Sequence, residues 1–142
     1  MIYTLDTNVF IDALRQPPEL DRLKAFLSWA LPSTVLSSIV AAELAAGARS
    51  EKARRLLDDS LLAAFERRAR IIAPSVTAWR RTGAVLARTG TTGTSASRQN
   101  DVLLAVQARE HGWTIVTRDE DFRTLRPHVS GLQVIAPFPE RA

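Results

Sequence analysis

The sequence has no cysteine, only two histidines and only two lysines, and it has no apolar run of the roughly 20 residues that a membrane-spanning helix needs. The lack of cysteine excludes disulfides, zinc–thiolate sites and thiol catalysis. No basic stretch precedes the apolar residues at the start, so we expect no signal peptide. These absences predict a cytoplasmic protein that has no membrane partner.

What remains is typical of one globular domain over residues 1–142, since 46% of the residues are hydrophobic and 24% are charged. Lysine and arginine together number 19 against 15 acidic residues, and nearly all of the basic residues are arginine. Arginine binds phosphate bidentately and stacks on bases, which favours a nucleic-acid partner. A compositional bias toward arginine explains the same count without any partner, and charge alone leaves both interpretations open.

Short apolar segments alternate with helical patterns along the chain. We predict strands at residues 2–6, 34–37, 71–72, 114–117 and 133–136, and helices at residues 9–14, 19–30, 39–48, 51–70, 75–88 and 97–110. Residues 90–97 are expected to form a loop, with Ser97 as the cap of the following helix. This alternation predicts an α/β fold with a parallel sheet covered on both faces, which binds ligands at the carboxyl ends of its strands.

Two candidate acids for that edge of the sheet lie in the first half of the sequence. Asp6 ends the first strand and precedes a helix, where a carboxylate serves as a helix cap or as part of a site. Glu43 lies in SSIVAAELAAGA, a helix with hardly any polar face that we expect to be buried. A lone glutamate there requires a metal, a proton or an arginine partner, because an unpaired buried charge is costly.

Two further acids lie near the ends of later elements. Asp101 falls near the start of the helix after Ser97, where the helix dipole also favours a purely structural aspartate. Asp119 follows the fourth predicted strand in the acidic turn TRDEDF, with Asp121 as a reserve candidate. Strand ends and the helices after them face one crevice, so these acids are expected to converge. Oxygen-only ligands favour Mg²⁺ or Mn²⁺, which would relieve their repulsion.

The sequence lacks the glycine-rich nucleotide-binding loops and the serine nucleophile elbow. His111 and His128 are interpreted as ordinary surface residues. These absences leave the acidic residues as the main candidates for chemistry.

Four segments resemble one family in order and spacing: LDTNVFIDAL (residues 5–14), SSIVAAELAAGA (37–48), NDVLLAVQA (100–108) and VTRDEDF (116–122). They are similar to PIN-domain nucleases, specifically the VapC toxins of type II toxin–antitoxin systems. The resemblance covers nearly the whole chain. It implies a three-layer α/β/α sandwich with a five-stranded parallel sheet and an Mg²⁺- or Mn²⁺-dependent endoribonuclease. It also implies a homodimer that a small antitoxin inhibits.

The acidic positions of the family correspond to Asp6, Glu43, Asp101 and Asp119, which are thereby candidate catalytic residues and metal ligands. The resemblance also implies that Asn8 supports the first acid and that Thr117 supports the last.

The expected chemistry is hydrolysis of RNA phosphodiester bonds, with Glu43 or Asp119 accepting the proton of the attacking water. A non-catalytic RNA-binding or regulatory module and a structure-selective DNA nuclease are the alternatives. Candidate RNA contacts are listed without preference: Arg15, Arg80, Arg81, Arg98 and Arg118.

Overall fold

The structure is a computed structural model that describes residues 1–90 and 96–141. Its strands are β1 (Ile2–Leu5), β2 (Thr34–Ser37), β3 (Ile71–Ile72), β4 (Trp113–Val116) and β5 (Gln133–Ile135). All pair in parallel, in the order β3-β2-β1-β4-β5. The predicted five-stranded parallel sheet is therefore confirmed, with the first strand of the chain at its centre.

Helices cover the sheet on both faces. They are α1 (Thr7–Arg15), α2 (Pro17–Ala30), α3 (Ser38–Gly47), α4 (Glu51–Leu56), α5 (Ala63–Glu66), α6 (Val76–Arg88), α7 (Ala96–His111) and α8 (Asp121–Thr124). The chain moves from β1 to β3 in one direction and then returns past β1 to β4. Because parallel crossovers are right-handed, this reversal places α1–α5 on one face and α6–α8 on the other. Contacts of α1 with α2 and α3, and of α6 with α7, agree.

The core explains why these segments fold as they do. All four residues of β4 are buried, as are Tyr3, Thr4 and Leu5 of β1, because both faces of a central parallel strand meet helices. None of the helices in the two described ranges combines the length and apolar character required to cross a bilayer.

The predicted long helix over residues 51–70 is wrong in its middle and at its end. A π-helical stretch, Leu57–Leu62, separates α4 from α5, and α5 ends at Glu66. In a regular helix Leu62 would point about 140° away from Leu57, since each residue turns by about 100°. The wider π turn brings both leucines, together with Leu61, into the core.

Two other expectations fail for local reasons. α3 is not buried all round: Ala42, Ala45 and Ala46 are exposed, because alanine favours a helix without needing a partner surface. Ser97 lies within α7, whose described part begins at Ala96, so it is not the helix cap. Residues 91–95 of the expected loop lie outside the described residues.

α2 also begins earlier than predicted, at Pro17. Proline is well tolerated at the first position of a helix, where the missing N–H has no partner within the helix.

Candidate acidic site

Asp6 lies at the junction of β1 and α1 and is almost entirely buried. One carboxylate oxygen, Oδ1, accepts a hydrogen bond from the Thr7 backbone N–H at 2.8 Å, which caps α1. The other oxygen, Oδ2, accepts from the Thr117 hydroxyl at 2.8 Å and from the Asn8 amide at 3.2 Å. Asp6 is therefore a helix cap, but its second oxygen also binds the side chain of Thr117, which is 111 residues away in the sequence.

Thr117 and Asn8 hold this end of the sheet together. The Thr117 hydroxyl donates to Asp6 and accepts the backbone N–H of Asp119 at 3.0 Å. Asn8 also donates to the Thr117 hydroxyl at 3.2 Å. The support of Asp6 by Asn8 is as expected, whereas Thr117 contacts both the first and the last acid. It thereby fixes the end of β4 against the end of β1.

Glu43 lies on α3 and is half-buried. Its Oε1 accepts a hydrogen bond from the Thr7 hydroxyl at 2.9 Å. Within residues 1–90 and 96–141 no arginine or lysine pairs with it, so the buried salt bridge considered from the sequence is not found. Thr7 binds Asp6 through its backbone and Glu43 through its side chain. This link between the two acids was not predicted from the sequence.

Asp101 lies on α7, and the charges of the other three acids act on its carboxyl group. Burial, followed by the charges of Asp6, Asp119 and Glu43, raises the pKa of Asp101 to about 7, while Arg98 opposes the increase. Burial also raises the pKa of Asp6, which reaches about 6. The hydrogen bonds from Thr117 and Thr7 lower this pKa, and the charges of Glu43 and Asp119 add to the increase. The four acids therefore share one electrostatic environment.

The last acid of the group is Asp119. It raises the pKa of both Asp6 and Asp101, and its Oδ1 accepts the backbone N–H of Asp121 at 2.9 Å. Asp121 is exposed and begins α8. The structure thus brings Asp119, rather than Asp121, beside the other three acids. We name Asp6, Glu43, Asp101 and Asp119 the acidic cluster.

Arg118 anchors the turn that carries Asp119. Its guanidinium contacts the carboxylates of Asp12, at 2.7 Å, and of Glu19. Its backbone N–H donates to the Asn8 side chain at 3.4 Å. Two carboxylates thus already engage Arg118, which makes it a poorer RNA contact than the sequence suggested. His111 and His128 are exposed, as expected, and His111 stacks on Trp113.

A pocket of about 260 Å³ adjoins the acidic cluster through Glu43. Its lining combines α1, α3 and α4: Ile11, Leu14, Arg15, Glu43, Leu44, Gly47, Ala48, Ala53 and Leu56. Most of these residues are apolar, so one wall of the acidic cluster continues into an apolar groove.

The acidic cluster lacks a ready-made metal-binding geometry. Across the described part of the chain, no three His, Cys, Asp or Glu side chains are arranged to hold a metal ion as they stand. The cluster is thus a set of oxygen donors that influence one another's charge without forming a complete metal site.

The fold and the acidic cluster define a parallel α/β protein in which one buried and three partly buried acids repel one another at one edge of the sheet. The PIN domain family model matches residues 3–126, and the chain belongs to this family. Membership places it among nucleases, hydrolases that act on nucleic acids. No curated protein sequence matches the chain.

Solved structures agree with this assignment. VapBC2 from Rickettsia felis, bound to a DNA fragment from its promoter, has a TM-score of 0.69 and 27% identity, over 96% of this chain and 98% of that one. FitAcB from Neisseria gonorrhoeae has a TM-score of 0.66 and 25% identity, over 94% and 96%. DNA-bound VapBC from Salmonella typhimurium, at 23% identity, TM-score 0.71 and coverage of 96% and 98%, shares the fold.

Proposed function

We propose that the chain is an Mg²⁺- or Mn²⁺-dependent endoribonuclease that acts as the toxin of a toxin–antitoxin pair. The observation that carries the proposal is the shared environment of the four acids, in which Asp6, Glu43 and Asp119 all raise the pKa of Asp101. Four repelling carboxylates, two of them with raised pKa values, destabilise the fold. Such groups are typical of a site that binds a ligand or performs a reaction.

The donor chemistry of the acidic cluster fits a hard divalent cation. All four side chains offer oxygen only. The pKa values of Asp6 and Asp101 are raised first by burial and then by the charges of the neighbouring acids, and a cation would relieve that repulsion. Asp6 and Asp101 would be the most direct ligands, with Glu43 and Asp119 completing the shell. When bound, Mg²⁺ or Mn²⁺ supplies charge neutralisation at the scissile phosphate and a lowered pKa for water.

The residues around the acids orient them. Thr117 and Asn8 fix Oδ2 of Asp6, and the Thr7 hydroxyl binds Glu43. Oδ2 therefore accepts two hydrogen bonds, whereas Oδ1 accepts the one from the Thr7 backbone and keeps more capacity for a ligand. In this proposal Glu43 or Asp119 would accept the proton of the attacking water.

The toxin–antitoxin assignment draws on the neighbouring structures and on the apolar groove. The Rickettsia and Salmonella neighbours are VapBC complexes. Here the groove over α1, α3 and α4 meets Glu43, so an apolar helical segment with a basic end fits both its walls and the acids. We propose a small antitoxin as this segment and a homodimer as the active assembly. Light scattering of the purified chain, alone and with the product of an adjacent short reading frame, tests both.

Cleavage assays test the enzymatic proposal. Parent protein should cut single-stranded RNA with Mg²⁺ or Mn²⁺ and should stop in EDTA, while Asp101→Asn should lower the rate by about two orders of magnitude or more. Asp21→Asn, at an exposed position of α2, is the matched control and should cut at the parental rate. DNA of the same sequence, single- and double-stranded, tests the alternative of a DNA nuclease.

One observation favours the second candidate, an RNA-binding module without catalysis: the acids are not arranged as a ready metal site within the described ranges. Metal-independent RNA binding with no cleavage in Mg²⁺ or Mn²⁺ would support that module and contradict the nuclease.

A further inference from the structure

A second, larger cavity of about 620 Å³ lies away from the acidic cluster, between α6, the second half of α7 and the segment before β5. None of the four acids lines it. Four basic side chains do: Arg81, Arg88, Arg109 and His128. Three buried valines, Val85, Val106 and Val129, also line the cavity. We name this cavity the basic cleft.

Backbone carbonyls, rather than carboxylates, orient two of the arginines. Arg88 donates through Nη2 to the carbonyl of His128 at 3.2 Å, and Arg109 donates through Nε to the carbonyl of Ser130 at 2.6 Å. A carbonyl fixes the direction of a guanidinium but leaves its full positive charge available. The remaining N–H groups are therefore pre-oriented donors for an anion.

No acid neutralises these arginines. In the two described ranges, no Asp or Glu oxygen lies within 4.0 Å of the side-chain nitrogens of Arg81, Arg88 or Arg109. Glu110, the single acid of the lining, instead accepts the Ser75 hydroxyl at 2.9 Å. The basic cleft thus concentrates positive charge that the fold itself leaves unpaired.

The backbone makes room for one of these side chains. Gly131 has a φ of +84°, and a Cβ at this position would lie 2.4 Å from Nε of Arg109. Any larger residue would push the guanidinium away from the Ser130 carbonyl. The turn before β5 therefore leaves room for the guanidinium of Arg109 beside the Ser130 carbonyl.

We propose that the basic cleft binds the phosphodiester backbone of the RNA strand that the acidic cluster cleaves, at a point several nucleotides from the cut. This inference rests on the proposed function. Arginine forks match phosphate oxygens, and phosphate is the anion that a nucleic-acid hydrolase meets along its substrate. Asp101 and Arg109 are eight residues apart on α7, which separates them by about 12 Å along the helix axis.

That separation predicts a dependence on substrate length. A stacked strand rises by about 3.4 Å per nucleotide, so roughly four nucleotides or more are needed to reach both places. Parent protein and Arg81→Glu should therefore cleave a dinucleotide at the same rate. On a 20-nucleotide RNA, Arg81→Glu should raise KM several-fold and leave kcat unchanged, because it weakens binding without touching the reacting groups.

Direct binding is measured in EDTA, by fluorescence anisotropy of a 20-nucleotide RNA with 2′-O-methyl sugars. The double variant Arg81→Gln/Arg109→Gln removes two charges, and the salt dependence of its log K should fall by about 1.4, near 0.7 per lost phosphate contact. Arg67→Gln/Arg68→Gln removes the same charge from exposed positions outside the cleft and should keep the parental slope. Arg81→Glu leaves both carbonyl anchors intact, so it covers the case in which the double variant does not fold.

The outcomes separate this proposal from the proposed function. Binding by Arg81→Glu equal to that of the Arg67→Gln/Arg68→Gln control would overturn the basic cleft, whatever the cleavage assay shows. If the parent protein binds labelled poly-L-glutamate but not the labelled RNA, the basic cleft is assigned to an acidic polypeptide, and this proposal is also overturned. If Arg81→Glu loses RNA binding and the parent protein does not cleave RNA, the result supports the basic cleft and contradicts the proposed nuclease.

Discussion

Asp101→Asn removes one negative charge from the acidic cluster and nearly preserves the size of the side chain. In the metal-free protein, the folded chain raises the pKa of this carboxyl from 3.8 to about 7. Each pKa unit corresponds to about 1.36 kcal/mol, so an ionised Asp101 costs the fold roughly 4 kcal/mol at pH 8. We therefore expect the variant to be more stable than the parent in EDTA, with this figure as an upper bound.

The gain should depend on pH with a definite sign. Since the folded pKa lies above the unfolded one, the cost is complete above about pH 7 and is relieved as pH falls toward 4. At pH 5 it has fallen to roughly 1.6 kcal/mol. Thermal melts should thus show a gain of at most roughly 10 °C at pH 8 and much less at pH 5, at a few degrees per kcal/mol for this size, because solvent screens the partly exposed carboxyl.

Metal should narrow the difference in stability between the parent and the variant. Parent protein with Mn²⁺ or Mg²⁺ at 100 times the dissociation constant should gain about 2.7 kcal/mol, because metal binds only the folded state. Asp101→Asn should lose most of that gain, while Asp21→Asn should behave like the parent throughout. A variant that melts lower than the parent in EDTA at pH 8, yet keeps the full metal-induced increase, would refute the electrostatic reasoning.

Two further substitutions probe the hydrogen bonds around the site. Thr117→Val removes the donor that lowers the pKa of Asp6, so that pKa should rise above about 6, and the acidic limb of the cleavage–pH profile should shift to higher pH. Gln107→Leu leaves the Ser37 hydroxyl and the Ile72 carbonyl without their buried partner, which should lower the free energy of unfolding in urea by about 1–3 kcal/mol.

Each of these two substitutions has a control variant. Thr117→Ser keeps the hydroxyl and should keep the parental profile, so an equal displacement in both variants would show that packing, not the hydrogen bond, is responsible. Gln99→Leu makes the same change at an exposed position of α7 and should alter stability by less than about 0.5 kcal/mol. Equal losses at positions 99 and 107 would contradict the role of the buried amide.

Apolar patterning and caps predicted the sheet well because they act locally. Ile71 and Ile72 are bounded by Pro74, and residues 34–37 by the cap of α3, so both strands lie where the sequence indicated. The long helix at residues 51–70 was predicted wrongly for the opposite reason. Its π turn serves the burial of Leu57 and Leu62 against the rest of the domain, and tertiary packing of this kind leaves no local signal.

The same distinction applies to the candidate site. Asp6, Glu43 and Asp119 could be proposed from the sequence because each follows a strand end or lies in the helix after one, whereas Asp101 was proposed from its place near the start of α7, which follows α6. Their connections could not be identified, because the Thr7–Glu43 hydrogen bond spans 36 residues and the Thr117–Asp6 bond spans 111. Whether Asp119 or Asp121 lies beside the other acids also depends on the turn after β4, which Arg118 ties to α1 and α2.

Because β1 lies between β2 and β4, its two edges are paired at different times as the chain is synthesised from its N-terminus. β1 leaves the ribosome first, but one of its edges remains open until β4 has been synthesised. Asp6 gains its hydroxyl partner from Thr117 only then, and an unfinished chain lacks Asp101 and Asp119 altogether. The four acids of the acidic cluster therefore come together only after β4 and the turn that carries Asp119 have been synthesised.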